Sequence, residues 1–190
     1  MSGNLPGSLC TTNVVSALIE ELQFTLGEGP CLDAYNHNQV VLEPDLAYPH
    51  VPRWLAFAPK ALEAGARAVF GFPLGIGAAR LGALNLYQDR PGRLSDDQHA
   101  DALVVAEVVA HWVLDMQAEA PRGLLAPEIE IGAELYFSVH NAAGAVSAQL
   151  EISVAEAMIR MRAYAFTHDR PLRDVAQDVI ARKIRFDEGP

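Results

Sequence analysis

Apolar positions set most of the predicted elements. Val14, Val15, Leu18, Ile19 and Leu22 recur at three- and four-residue steps, which predicts a helix over 10–22 that Gly27-Glu28-Gly29-Pro30 ends with turn chemistry. A second helical stretch covers 53–63. β-Formers then take over in 66–76, with Val69, Phe70, Phe72 and Ile76, and in 80–87, so the two stretches read as a hairpin closed by Gly77-Ala78-Ala79. Gly71 and Gly82 inside them mark bulges or close packing. Ser95 and Gln98 form a capping-box signature ahead of a long helix over 96–118.

That long helix has polar residues close to one stripe, Asp101, Glu107, His111 and Asp115, with Ala, Leu, Val, Trp and Met around the rest. A helix apolar on more than one face must bury more than one face. One covers the sheet, and the other predicts a homodimer through the same helix of a second copy. Pro121-Arg122-Gly123 and Pro127 then break the pattern, which places a domain boundary between 1–120 and 128–186.

The C-terminal stretch reads as three helices. The first covers 130–150 with small residues at Ala142, Gly144, Ala145 and Ala148. The second begins at Ser153, capped reciprocally by Glu156. The third starts around Pro171 and buries Leu172, Val175, Ala176 and Val179. The expected fold class is α+β, an antiparallel sheet flanked by helices followed by a small three-helix domain.

Charge sharpens this division. The chain of 190 residues has a net charge of −10. Its first 137 residues hold 17 Asp/Glu against 7 Lys/Arg, whereas the remainder holds 7 of each. The acidity therefore belongs to the first domain, and local positive charge at the C-terminal end is compatible with phosphate because fields decay over roughly 8 Å at physiological salt. Arg160, Arg162 and Tyr164 supply groups that pair with phosphate and stack on bases; Arg170, Arg173 and Lys183 add charge nearby. The same arginines also fit a plain solvated face.

Two cysteines, Cys10 and Cys31, form no metal-ligand spacing, so no metal or cofactor is expected. Cys31, placed in a loop after Gly29-Pro30, is a candidate redox-responsive thiol. Tyr35, Trp54, Phe57, Phe70 and Phe72 are candidates for lining a small-molecule pocket or for filling a core. No apolar run reaches membrane-spanning length and no leader pattern opens the chain, which predicts a cytoplasmic protein with no membrane partner.

Two resemblances add to this reading. Asn141-Ala142-Ala143-Gly144, Ser153-Val154-Ala155-Glu156-Ala157, Met161-Arg162-Ala163-Tyr164-Ala165 and Leu172-Arg173-Asp174-Val175-Ala176 follow an order that resembles the ANTAR domain, over about a quarter of the chain. The resemblance implies a three-helix module binding paired RNA hairpins in transcription antitermination, with Asn141, Ala142 and Gly144 among its contacts. One position departs from the family pattern, Ala143, where a lysine is usual. Leu22-Gln23-Phe24, the segment from Gly27 to Ala34, Asp45-Leu46, Arg53-Trp54, Phe72-Pro73-Leu74 and the segment from Gly82 to Tyr87 together resemble a GAF domain over roughly residues 9–118. That resemblance implies a sensor for an unidentified small molecule. The expected protein is thus a non-enzymatic RNA-binding regulator. The rival readings are a DNA-binding or partner-binding regulator with a degenerate C-terminal module and, with Cys10 and Cys31 as its two thiols, a GAF-type methionine sulfoxide reductase.

Overall fold

The computed structural model describes residues 8–119, the backbone of 127–136, and 137–186 in full. Among these it contains a three-stranded antiparallel sheet and seven helices, an α+β architecture. The described chain falls into two compact units, one holding Cys10–Gln23 and the chain from Gly27 through the fourth helix, the other holding Phe24–Leu26 and the chain from Pro127 on.

α1 spans Val14–Leu26, all but its last three residues in the first unit, and begins and ends later than its periodicity predicts. Asn13 explains the start: its side chain accepts from the Ser16 N–H while Ser16 returns a bond to the Asn13 backbone, a closed capping box. The segment after Gly29, expected as loop, is a helix, α2 (Pro30–His37). Proline at its first position is pre-set for helix, and eight residues are too few to show a period. Gly29 itself sits at φ 136, and a Cβ there would meet the Gln23 side chain at 2.6 Å. α3 (Phe57–Glu63) starts four residues later than predicted, leaving Arg53 and Trp54 in the preceding loop.

The sheet order is β1-β2-β3 (Val41–Glu43, Ala68–Ile76, Ala79–Gln88). The short β1 is an addition to the predicted hairpin. Leu74 pairs with Gly82 and Gly75 with Arg80, so Leu81 is an extra residue in β3 and the ladder shifts beside Gly82. On one face Ala68, Phe70, Phe72 and Leu74 pack against Ala102, Ala106 and Ala110 of α4 (Asp96–Glu119). Alanine at every fourth position lets the helix lie close to the large β2 side chains. On the other face Gly71 makes room for α2: a Cβ there would lie 2.5 Å from the Pro30 carbonyl oxygen. The start of α4 is capped as expected, with Ser95 and Gln98 exchanging hydrogen bonds.

The second unit holds α5 (Pro127–Leu150), α6 (Val154–Thr167) and α7 (Leu172–Ile180). Pro127, expected as a breaker, is the first residue of α5, where a missing N–H costs nothing. Val139, Ala142, Ala143 and Val146 of α5 meet Ala157, Met161 and Ala165 of α6 and the buried face of α7. Arg182, Lys183 and Arg185 lie beyond the end of α7.

Candidate functional site

Outward-facing positions of α5 follow from its period. Val139, Ala142, Ala143 and Val146 are buried, so Phe137, Asn141 and Ala148 come to the exposed side, with the half-buried Gly144 on the same stripe. A Cβ built on Gly144 meets nothing within 4 Å, as at Gly65 and Gly77, but Gly144 lies inside a helix. A mid-helix glycine costs about 0.5–1 kcal/mol relative to alanine, and no packing contact accounts for it here. It leaves half-buried helix backbone about one turn beyond the exposed Asn141.

Ala142 corrects the expected contact set, since it is fully buried in the helical core and its side chain touches only protein. Ala143 is also fully buried, so the position where the ANTAR pattern carries lysine faces the core.

The candidate cations divide among different surroundings. Arg160 is exposed on α6, near Glu156, whose carboxyl is held below its ordinary value first by the Ser153 side chain and backbone of the cap, with Arg160 adding a smaller effect. Arg162 lies beside His140 of α5; burial, and then the Arg162 charge, lower the His140 pKa and keep the imidazole neutral near pH 7. Tyr164, two residues on and so roughly 200° around the helix, belongs to another surface. Its ring stacks on His168 with centroids 3.9 Å apart and meets the edge of Phe186 at 5.4 Å. Arg170 bonds Asp178 at 2.6 Å and Lys183 reaches the same carboxylate at 3.2 Å, which lowers the Asp178 pKa, first through Arg170. Arg173 pairs with Asp174 at 3.5 Å. The expected single basic surface is therefore two: a face of α5 and α6 with Asn141, Gly144, His140 and Arg162, and a second region whose cations largely serve the module's own ion pairs.

In the first unit the aromatic candidates are packed. Trp54, Phe57, Phe70 and Phe72 are buried and Tyr35 half-buried. Trp54 meets Phe57 edge-on at 6.0 Å and donates from Nε1 to Asp33 at 2.9 Å, while Arg53 lies 4.2 Å over the Trp54 ring. Phe70 and Phe72 fill the space under α4. The expected aromatic pocket is thus a hydrophobic core. Cys31 is also corrected: it lies inside α2, buried, and burial first, then the neighbouring Glu20 charge, push its thiol up to about 12. A thiol so protonated is a poor nucleophile near pH 7.

A polar cluster that sequence reasoning missed lies beside it. Gln23 of α1 accepts from the Cys31 N–H at 2.7 Å, and its Nε2 reaches Glu20 Oε1 at 3.4 Å. Asn85, in the middle of β3, donates to the same Glu20 oxygen at 2.7 Å. The signal available in the sequence was an asparagine within an otherwise apolar strand, Leu84-Asn85-Leu86, and two long polar side chains three residues apart on α1.

No family model matches the chain, and no curated protein matches it. Two solved structures are similar over part of their length. One is a domain named for a two-component sensor histidine kinase protein of Sinorhizobium meliloti, with 22% identity, 43% of this chain and 55% of that chain covered, and a TM-score of 0.39. The other is a type II free methionine-R-sulfoxide reductase of Thermoplasma acidophilum, with 23% identity, 47% and 59% covered, and a TM-score of 0.38. The chain spans little more than half the length of either. At this level of similarity neither protein's activity carries over. No helix among the described residues is long and apolar enough to cross a membrane.

Proposed function

We propose that the chain is a non-enzymatic regulator whose second unit binds RNA hairpins, as in antitermination, and whose first unit is a GAF-like sensory domain that adjusts that binding. The observation that carries the reading is Gly144, a helix-weakening residue on the exposed stripe of α5 that packing does not require. The Gly144 backbone, with Asn141 one turn and Phe137 two turns before it and with Arg162 and Arg160 on the neighbouring helix, offers hydrogen bonding, stacking and phosphate pairing to unpaired bases of a loop. The ANTAR resemblance supports the same assignment. Binding energy spent on one RNA fold stabilises it over a competing fold, and no bond-making step is needed.

The test is binding to a paired-hairpin RNA, a scrambled RNA and duplex DNA across a salt series. Gly144→Ala is expected to stabilise the module by about 0.5–1 kcal/mol while weakening hairpin binding, because the added methyl covers the bare backbone. Arg162→Ala is expected to cost about 1–3 kcal/mol of hairpin affinity if it reads a base, and to weaken all sequences equally if it meets phosphate. Equal or absent binding to all three nucleic acids by the wild-type protein overturns the reading.

A specific observation favours a second reading. Arg170, Arg173 and Lys183 are engaged in ion pairs, whereas Ile159 and Phe166 of α6 stand 64% and 46% exposed. A module of that kind suits a protein partner, and loss of all RNA affinity would favour it.

We also propose that α4 forms a homodimer. Val104, Val108 and Trp112 lie on one exposed stripe of it, 60%, 62% and 59% accessible. Exposed apolar side chains at this spacing on a long helix suit a second helix. Trp112→Lys is expected to halve the mass seen in light scattering at micromolar concentration; a wild-type protein already monomeric there removes the dimer.

A further inference from the structure

Glu20 and Asn85 line a recess of about 20 Å³ between α1 and the sheet, with Ser16, Ile19, Val69 and Tyr87 among its walls. That volume admits one water-sized group. Two features set its chemistry. Asn85 Oδ1 is buried without a hydrogen-bond partner, and the Glu20 carboxyl is buried with only amide donors, Asn85 at 2.7 Å and Gln23 at 3.4 Å. No lysine or arginine among the described residues pairs with Glu20. The neighbouring hydroxyls donate elsewhere: Ser16 Oγ to the Asn13 carbonyl at 2.8 Å, and Tyr87 to Asn13 Oδ1 at 2.9 Å.

The recess therefore presents acceptors and the Glu20 carboxylate, with its hydroxyl donors committed and the buried Cys31 thiol, a weak donor, against the Asn85 amide. A buried carboxylate is costly without a paired cation, and a buried amide oxygen without a donor adds to that cost. Asn85 Oδ1 and Nδ2 share one carbon, and Nδ2 bonds the carboxylate at 2.7 Å, so the two acceptors belong to adjoining groups. A bare metal ion asks for about six oxygens, more than these two side chains supply. An N–H-bearing cation needs only directed acceptors and brings the missing charge.

We propose that this recess binds the ammonium head of a small primary amine, held by the Glu20 carboxylate and Asn85 Oδ1. The site gives the sensory reading of the first unit a ligand class, and it rests on that reading only for its role. Binding is measured by itself, so an amine that binds without changing RNA affinity keeps the site and removes the sensory role.

The experiment titrates the full chain with ammonium or methylammonium chloride against sodium and tetramethylammonium chloride at constant ionic strength, following the thermal midpoint of the first unit. The expected result is a saturable rise with the two N–H cations, no rise with the other two, and loss of the rise in Glu20→Gln. An equal response to all four salts, which corresponds to a water in the recess, overturns the proposal, as does a rise that persists in the variant. Nuclear Overhauser contacts from the protons of bound ammonium to Ile19 in the wild-type protein decide the matter without a variant: their presence places the cation in the recess, and their absence at saturating ammonium refutes the site.

Discussion

Met161→Ala is expected to destabilise the second unit by about 2–5 kcal/mol, the range for truncating a long buried apolar side chain. Met161 is fully buried where α6 meets α5 and α7, in a core otherwise rich in alanine: Ala142, Ala143, Ala157, Ala165 and Ala176. Small residues bring the three helices close but remove little apolar area from water. Met161 and Leu172 are therefore the largest fully buried side chains available to hold the module. A helical unit of this size rarely has more than about 3–5 kcal/mol in reserve, so the truncation consumes most of it. Calorimetry should show the second unit's transition moved below 37 °C or lost, while the transition of the sheet-containing unit stays in place. Met161→Leu conserves volume and is expected to cost less than about 1.5 kcal/mol. The proposed RNA binding should follow the helical transition, failing in Met161→Ala and surviving in Met161→Leu.

The reason that core was readable from sequence while the placement of the arginines was only half readable lies in the range of the signals. Helices α1, α4 and α6 announce themselves by local periodicity and by capping residues three apart, such as Ser153 with Glu156, and the hairpin by β-branched and aromatic runs around Gly77. Short elements carry no such period, which is why α2 and the three-residue β1 were missing. Adjacent letters also mislead about faces: Arg162 and Tyr164 look like neighbours, yet one meets α5 and the other stacks on His168. The pairing of Arg170 with Asp178 depends on how α7 is held after the α6–α7 turn, and no local rule encodes it. Glu20 and Asn85 are 65 residues apart and meet only because α1 lies over β3. Functional polar clusters of that kind are written in the topology, and a single sequence shows only their scattered members.

Glu20→Gln is expected to stabilise the first unit by about 1–3 kcal/mol at neutral pH, the cost of leaving a buried polar group poorly satisfied. Burial raises the Glu20 pKa, and the hydrogen bond from Asn85 offsets only part of this. A carboxyl raised in the folded state contributes stability that is fully present below its unfolded value, about 4.3 for a glutamate, and is lost as pH rises through the folded value. Glutamine carries no such titration. The difference between variant and wild type should therefore open as pH rises from about 4, and denaturant midpoints measured from there to neutrality will show it. A gap that is constant with pH would mean that Glu20 stays in one protonation state throughout. The amide also mimics the protonated acid, since its Nε2 can donate to Asn85 Oδ1 while its oxygen accepts from Asn85 Nδ2. Proton and amine thus compete for one place beside Asn85. The variant should be the more stable protein and the one that ammonium no longer affects, a pairing that a purely structural role for Glu20 would not produce.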